Sequence, residues 1–239
     1  MNTPKHRELP RRQAATALAL AVAASLLIAW WAPLRVLGWP ILMGSTLAHE
    51  LGHGLTAWLL GGQFLSLDMY GDGSGVASYR GAFGRTDIAL IASGGLLGPP
   101  FSAMLLLMAS VGLRPSHVAL GLLALLLAAT AVLWSGNPLT FSYCLILAGL
   151  LALIALWGGA RLSQLSCMFI AVQLLLASFT RADYLFTPVA RTGSGDMLSD
   201  VGQIADAFWL PYWVWGGLIA VLSLGFVAVG IWRFLRALR

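Results

Sequence analysis

Long runs of apolar residues, separated by short polar segments, dominate the hydrophobic pattern of this chain. Each run has about the length, roughly 20 residues, that a helix needs to cross the hydrocarbon core of a bilayer. Seven runs predict helices at about 14–31, 36–60, 88–111, 118–134, 139–157, 162–179 and 209–235. The pattern therefore predicts an all-α polytopic membrane protein.

The number of spans stays open between about six and eight. Basic residues lie near both chain ends, at 5–12 and at 233–239. Because basic flanks favour the cytoplasmic side, this charge pattern favours an even number of crossings. Either one of the seven runs is re-entrant, or two short runs form a single broken unit. We expect residues 1–13 to form a basic cytoplasmic tail and residues 14–239 a single membrane domain.

The segment between the second and third apolar runs has a different pattern. Residues 64–70 and 76–79 alternate between apolar and polar positions, and the glycine-rich segment 71–75 separates them. Alternation with a period of two residues is typical of a strand, and closely spaced glycines are typical of a turn. The pattern predicts a small β-hairpin insert at about 63–80.

Composition narrows the class of protein. Hydrophobic residues make up 59% of the 239 positions and charged residues only 10%, whereas a soluble domain carries about 25% charged residues. This excludes a disordered chain, a coiled coil and an ordinary soluble enzyme. The net charge of +5 comes from short clusters that flank the apolar runs, without the basic surface typical of nucleic-acid binding. We therefore expect a lipid bilayer, and no nucleic acid, around this protein.

The second apolar run contains the sequence His49-Glu-Leu-Gly-His53. Histidines four positions apart lie on one face of a helix, where two imidazoles can reach one metal ion. A glutamate directly after the first histidine is the general base in helices of the type His-Glu-x-x-His. Ionisable groups at membrane depth are costly unless they pair or bind a ligand. An internal hydrogen-bond network without catalysis is the alternative interpretation.

At this point the chain resembles the site-2 protease-type intramembrane zinc metallopeptidases, and within them the compact M50B-like branch. The first motif is followed by four weaker segments in the family's order. They are Trp58-Leu-Leu-Gly-Gly62, then Asp72-Gly-Ser-Gly-Val76, then Ala92-Ser-Gly-Gly-Leu-Leu-Gly-Pro99, and finally, taken together, Leu198-Ser-Asp-Val201 and Leu210-Pro-Tyr-Trp-Val-Trp215. The resemblance extends over most of residues 40–220.

This resemblance implies a zinc metalloendopeptidase that hydrolyses peptide bonds within or next to a membrane-embedded substrate. It implies Zn²⁺ held by His49, His53 and a distant aspartate, with Glu50 as general base on the zinc-bound water. It also implies a membrane protein or peptide as the substrate and a multi-pass location in the bacterial inner membrane. A catalytically inactive pseudoprotease, or a membrane scaffold or binding protein, is the alternative; the oligomeric state stays open.

The third metal ligand has two candidates. The better-known members supply it from an Asn…Pro…Leu-Asp-Gly motif, which this chain lacks. Asp200 follows Ser199 in the Ser-Asp pair of the compact branch, and the resemblance favours it. Its alternative role is to begin a helix at Val201, with Ser199 or Asp200 as N-cap. Asp183 is the alternative third ligand.

Residues that bind the substrate are expected in two places. An unwound substrate could add a strand to the edge of the hairpin, which makes Gly73, Ser74, Gly75 and Val76 candidates. A plain hairpin that covers the mouth of the site is the competing interpretation. Asn137 could donate a hydrogen bond to an oxyanion, or it could form a turn between two spans.

Overall fold

The computed structural model describes residues 18–19, 22–23, 25–28, 30–31, 35–180, 182–193 and 195–237. The predicted tail at residues 1–13 lies outside the described residues. The described residues from 18 to 30 are helical, in the first predicted span.

Helices form most of the described chain, as the sequence predicted. Their bounds are α1 Arg35–Leu59, α2 Arg85–Ala109, α3 Leu113–Leu133, α4 Pro138–Trp157, α5 Gly159–Thr180, α6 Asp200–Phe208 and α7 Tyr212–Ala237. A 3₁₀ helix, Ala182–Phe186, lies between α5 and α6. The all-α polytopic fold is confirmed.

Five of these helices, α2 to α5 and α7, are long and apolar enough to cross a membrane. The protein is thus an integral, multi-pass membrane protein. Helix α1 has 25 residues but is not among the five, because His49, Glu50 and His53 lower the hydropathy of the second apolar run.

The predicted hairpin is confirmed at 63–80. Strand β1 (Gln63–Met69) pairs antiparallel with β2 (Gly75–Arg80), with Leu67 opposite Ala77. The other edge of β1 is covered by the connection between α3 and α4. The Leu67 N–H donates to the carbonyl of Trp134 at 2.6 Å, and Gly136 donates to the Leu67 carbonyl at 2.9 Å. Strand β2 is therefore the outer strand of this hairpin.

A second hairpin precedes α6, and the sequence analysis did not predict it. Strand β3 (Val189–Thr192) pairs antiparallel with β4 (Gly195–Leu198). Its turn meets the first hairpin, because the Gly193 N–H donates to Ser74 Oγ at 2.9 Å. The two hairpins are thus joined at their tips.

Helices α1 and α2 approach each other through small residues. A Cβ atom on Gly52 would lie 2.8 Å from the carbonyl carbon of Gly94, and one on Gly98 would lie 2.5 Å from the carbonyl oxygen of Ala48. Small residues let two helix backbones pack at close range in a membrane. This close packing sets α2 against the face of α1 that carries the histidine motif.

Candidate metal centre and active site

Helix α1 presents His49, Glu50 and His53 on one side, as the i, i+4 spacing predicted. Glu50 and His53 are buried, and the side chain of His49 is 20% exposed. The rings of the two histidines lie edge to face, with their centroids 4.7 Å apart. The motif therefore points into the protein and away from lipid.

Asp200 completes a cluster with the two histidines. Its Oδ2 lies 3.0 Å from His49 Nε2, and its Oδ1 lies 3.3 Å from His53 Nε2. The two Nε2 atoms are 3.1 Å apart. One ligand atom from each residue lies within 4.8 Å of the others. The tertiary structure thus brings together residues that are about 150 positions apart in the chain.

A hydrogen bond at Nδ1 of His53 determines that Nε2 is the ring nitrogen that faces this cluster. His53 Nδ1 lies 2.8 Å from the carbonyl oxygen of Ile91, which can only accept a hydrogen bond. Nδ1 therefore carries the proton, and in the neutral ring Nε2 offers a lone pair towards His49 and Asp200. A carbonyl that holds the outer nitrogen in this way is typical of histidines that bind metals.

The donor atoms fit a cation. Asp200 Oδ2 is buried and has no hydrogen-bond partner among the described residues, although His49 Nε2 is near. An unpaired buried carboxylate oxygen is costly, and a positive charge between the lone pairs removes that cost. His49, His53 and Asp200 are therefore able to hold a metal ion.

Local structure before α6 explains how Asp200 is placed. Ser199 is the N-cap residue, and its Oγ accepts a hydrogen bond from Gly202 N–H at 3.1 Å. The Ser199 N–H donates to the carbonyl of Pro188 at 3.0 Å, and its hydroxyl donates to the carbonyl of Thr187. Because Ser199 is the capping residue, the Asp200 carboxylate does not cap the helix and instead contacts the two histidines.

The other candidate for the third ligand, Asp183, has its backbone in the 3₁₀ helix Ala182–Phe186. Its side chain lies outside the described part of the chain.

Glu50 lies between the metal cluster and the first hairpin. A Cβ atom on Gly75 would lie 2.8 Å from Glu50 Cγ and 3.1 Å from Glu50 Oε1, so β2 passes directly over the glutamate. The backbone of Ala77 also lies near the Glu50 carboxyl group. Burial and the negative charges of Asp200 and Glu50 raise the pKa of Tyr79 on the same strand, so its phenol stays neutral.

A cavity of about 110 Å³ opens beside His49 and Glu50. Gly73, Ser74 and Gly75, three of the predicted substrate-binding residues, line it. Val76 does not line the cavity, although it follows Gly75 directly in β2.

Asn137 is placed elsewhere. Its Nδ2 donates to the Met69 carbonyl at 2.9 Å, and its Oδ1 accepts from the Thr140 N–H at 2.8 Å. It thus caps α4 and holds the end of β1, as the turn interpretation predicted, and it does not line the cavity with Glu50. Both ends of its amide are used in this structural role.

The sequence analysis missed three residues of the site. Thr46 Oγ1 donates to the Gly73 carbonyl at 2.6 Å and ties the hairpin turn to α1. It lies one helical turn before Glu50, so the helical period could have identified it. Tyr184, whose ring centroid is 6.0 Å from that of His49, and Arg191 also line the cavity. No local pattern marks these two.

Comparison with known families agrees with this site. A family model described as Peptidase M50B-like matches residues 17–230, most of the chain. Comparisons with curated proteins and with solved structures find no match. The matched region contains the histidine motif, both hairpins and Asp200. This integral membrane protein belongs to the peptidase M50B-like family.

Proposed function

We propose that the protein is a zinc-dependent endopeptidase that cleaves peptide bonds within or next to a membrane-embedded substrate. The observation that carries this proposal is the convergence of His49, His53 and Asp200, next to a cavity that His49 and Glu50 line. Two imidazoles and one carboxylate form a three-ligand set typical of catalytic zinc sites, which leave one position open.

Glu50 is the proposed general base. Zinc held by the three ligands would supply a Lewis acid that polarises the scissile carbonyl and makes water more acidic. The Glu50 carboxylate takes the proton from the attacking water and delivers it to the leaving amide nitrogen. The close approach of Gly75 and the nearby backbone of Ala77 confine this carboxylate.

The hairpin is the proposed docking element for the unwound substrate. Strand β1 already bonds on both sides, to β2 and to the connection after α3. Strand β2 is thus the strand to which a substrate could add by β-augmentation. The turn that leads into β2, at Gly73 and Ser74, lines the cavity with Glu50, so a segment on this edge would pass close to the catalytic carboxylate.

The test uses the full-length protein, purified without chelators and reconstituted with zinc in proteoliposomes that carry membrane-spanning peptides. Glu50→Gln should retain one zinc per chain and the thermal unfolding midpoint, while cleavage falls by about 10³-fold or more. Glu8→Gln, which changes the only other glutamate, should cleave like the parent protein.

Retained cleavage by zinc-loaded Glu50→Gln contradicts the proposed role of the glutamate. A parent protein that binds no zinc, and in which His49→Ala changes nothing, would instead indicate a pseudoprotease or a scaffold.

A further inference from the structure

Among the residues that line the cavity, Arg191 is the only one with a permanent positive charge. It lies on β3, in the hairpin that the sequence analysis missed. The other lining residues are mostly apolar or carry hydroxyl groups, and Glu50 is the one acidic residue among them. We therefore ask which group could pair with the charge of Arg191 in this cavity.

Arg191 is not paired with the acidic residue across its own hairpin. Asp196 lies directly opposite it in the register of β3 and β4, where opposite charges commonly interact. Within the described part of the chain, the ion pairs at the site join the two motif histidines to Asp200, and Arg191 is not among them. Arg191 lines the cavity and is exposed, so a ligand that enters the cavity can reach its side chain.

The charges of the site favour an anionic ligand. A divalent ion held by His49, His53 and Asp200 would balance the carboxylates of Asp200 and Glu50, and Arg191 would then give the site a net positive charge. A guanidinium recognises a carboxylate with two parallel hydrogen bonds.

The backbone around Arg191 is held at both ends. Two residues after it, Gly193 donates to Ser74 Oγ at 2.9 Å, and the base of the hairpin is closed by the hydrogen bond from Ser199 to Pro188. Arg191 therefore lies at a fixed place in the wall of the cavity, which Gly73 and Gly75 of the first hairpin also line. A peptide on the edge of β2 would pass close to it.

We propose that Arg191 determines substrate specificity by binding a carboxylate close to the scissile bond. This inference rests on the proposed peptidase function and names the substrate class for that site. The carboxylate belongs either to an Asp or Glu side chain of the substrate or to its free C-terminus.

The first arm of the test measures cleavage. Matched peptides carry Asp, Asn or Lys at one position near the cleaved bond, each with a C-terminal acid or a C-terminal amide. With zinc-loaded parent protein, kcat/KM should be about tenfold or more higher for the carboxylate than for its neutral counterpart. Preference for Asp over Asn identifies a side chain, and preference for the acid over the amide identifies the C-terminus.

The variants decide whether Arg191 carries that preference. Arg191→Gln should reduce the ratio to about one, and Arg191→Glu should reverse it towards Lys peptides. Arg114→Gln, an exposed arginine at the start of α3 outside the cavity, should keep the parent ratio. A parent protein that cleaves acidic and neutral peptides equally well, or an Arg191→Glu variant with the parent preference, overturns the inference.

The second arm measures binding without cleavage. The same peptides are titrated into Glu50→Gln protein with and without Arg191→Gln. If the double variant binds the carboxylate peptide more weakly and the neutral peptide equally well, the result supports the role of Arg191. This holds even if no peptide is ever cleaved, an outcome that would contradict only the proposed peptidase function. Equal losses for acidic and neutral peptides contradict a specific carboxylate contact.

Discussion

Gly95 of α2 lies directly against the imidazole of His53 in α1, so that a methyl group at this position would overlap Nε2 and Cε1 of the ring. These are the atoms of His53 closest to the candidate metal centre. The absence of a side chain at Gly95 is therefore a requirement of the site, and it also lets the Ile91 carbonyl reach Nδ1 on the other side of the ring.

Gly95→Ala should displace the His53 ring and weaken zinc binding by about 10- to 100-fold. The measurement is the zinc dissociation constant from chelator competition in detergent. Gly121→Ala is the matched control, because a Cβ atom there meets nothing within 4 Å, and it should bind zinc like the parent protein. Unchanged zinc affinity in a folded Gly95→Ala protein would show that His53 does not need this space.

Asp200→Asn should lose zinc at a chelator concentration that the parent protein withstands, because one charged ligand of three is removed. Bound metal is measured by mass spectrometry of the purified protein. Asp206→Asn, an exposed position on the same helix, should retain zinc. If Asp183→Asn loses the metal and Asp200→Asn keeps it, the assignment of the third ligand is wrong.

Gly75→Ala should reduce kcat by about tenfold or more while zinc content stays at the parent level. The added Cβ would lie 2.8 Å from Glu50 Cγ and from Thr46 Cγ2, so it displaces the general base and leaves the metal ligands in place. Gly71→Ala is the matched control, because Gly71 lies in the same hairpin loop and a Cβ atom there meets nothing within 4 Å. This variant should keep the parent kcat. A Gly75→Ala protein with parent kcat would argue against the hairpin as the support of Glu50.

Asn137→Ala should lower the stability of the protein and leave the chemistry intact. It removes a helix cap and a hydrogen bond to the end of β1, with an expected cost of about 1–3 kcal/mol in the free energy of unfolding. Thermal unfolding and kcat are measured together. A fall of about 10²-fold in kcat at unchanged stability would instead identify Asn137 as an oxyanion donor.

Much of the site was predictable because its signals are local. The i, i+4 spacing of His49 and His53 determines that both lie on one helix face whatever surrounds the helix. The alternation at 64–70 and 76–79, on either side of the glycines, predicted the hairpin, whose strands in the structure are Gln63–Met69 and Gly75–Arg80. For Asp200, the sequence left two candidates, and only the resemblance favoured one.

Other features had no local signal. Strands β3 and β4 are four residues each, too short for alternation to stand out. Arg191 and Tyr184 reach the cavity only because this segment meets the first hairpin at Ser74 and approaches His49 of α1. Asn137 has an amide suited to two roles, and only the structure shows its bonds to Met69 and Thr140.

By itself, the sequence determined the class of the protein, its helices and the His-Glu-x-x-His face, because hydropathy and helical periodicity act over a few neighbouring residues. Only the tertiary structure decided that Asp200 meets two histidines about 150 residues earlier and that Arg191 lies at the same cavity. Those contacts depend on how closely the glycines of α1 and α2 let the helices pack and on where the second hairpin is anchored. Such distances are set by the packing of the whole chain.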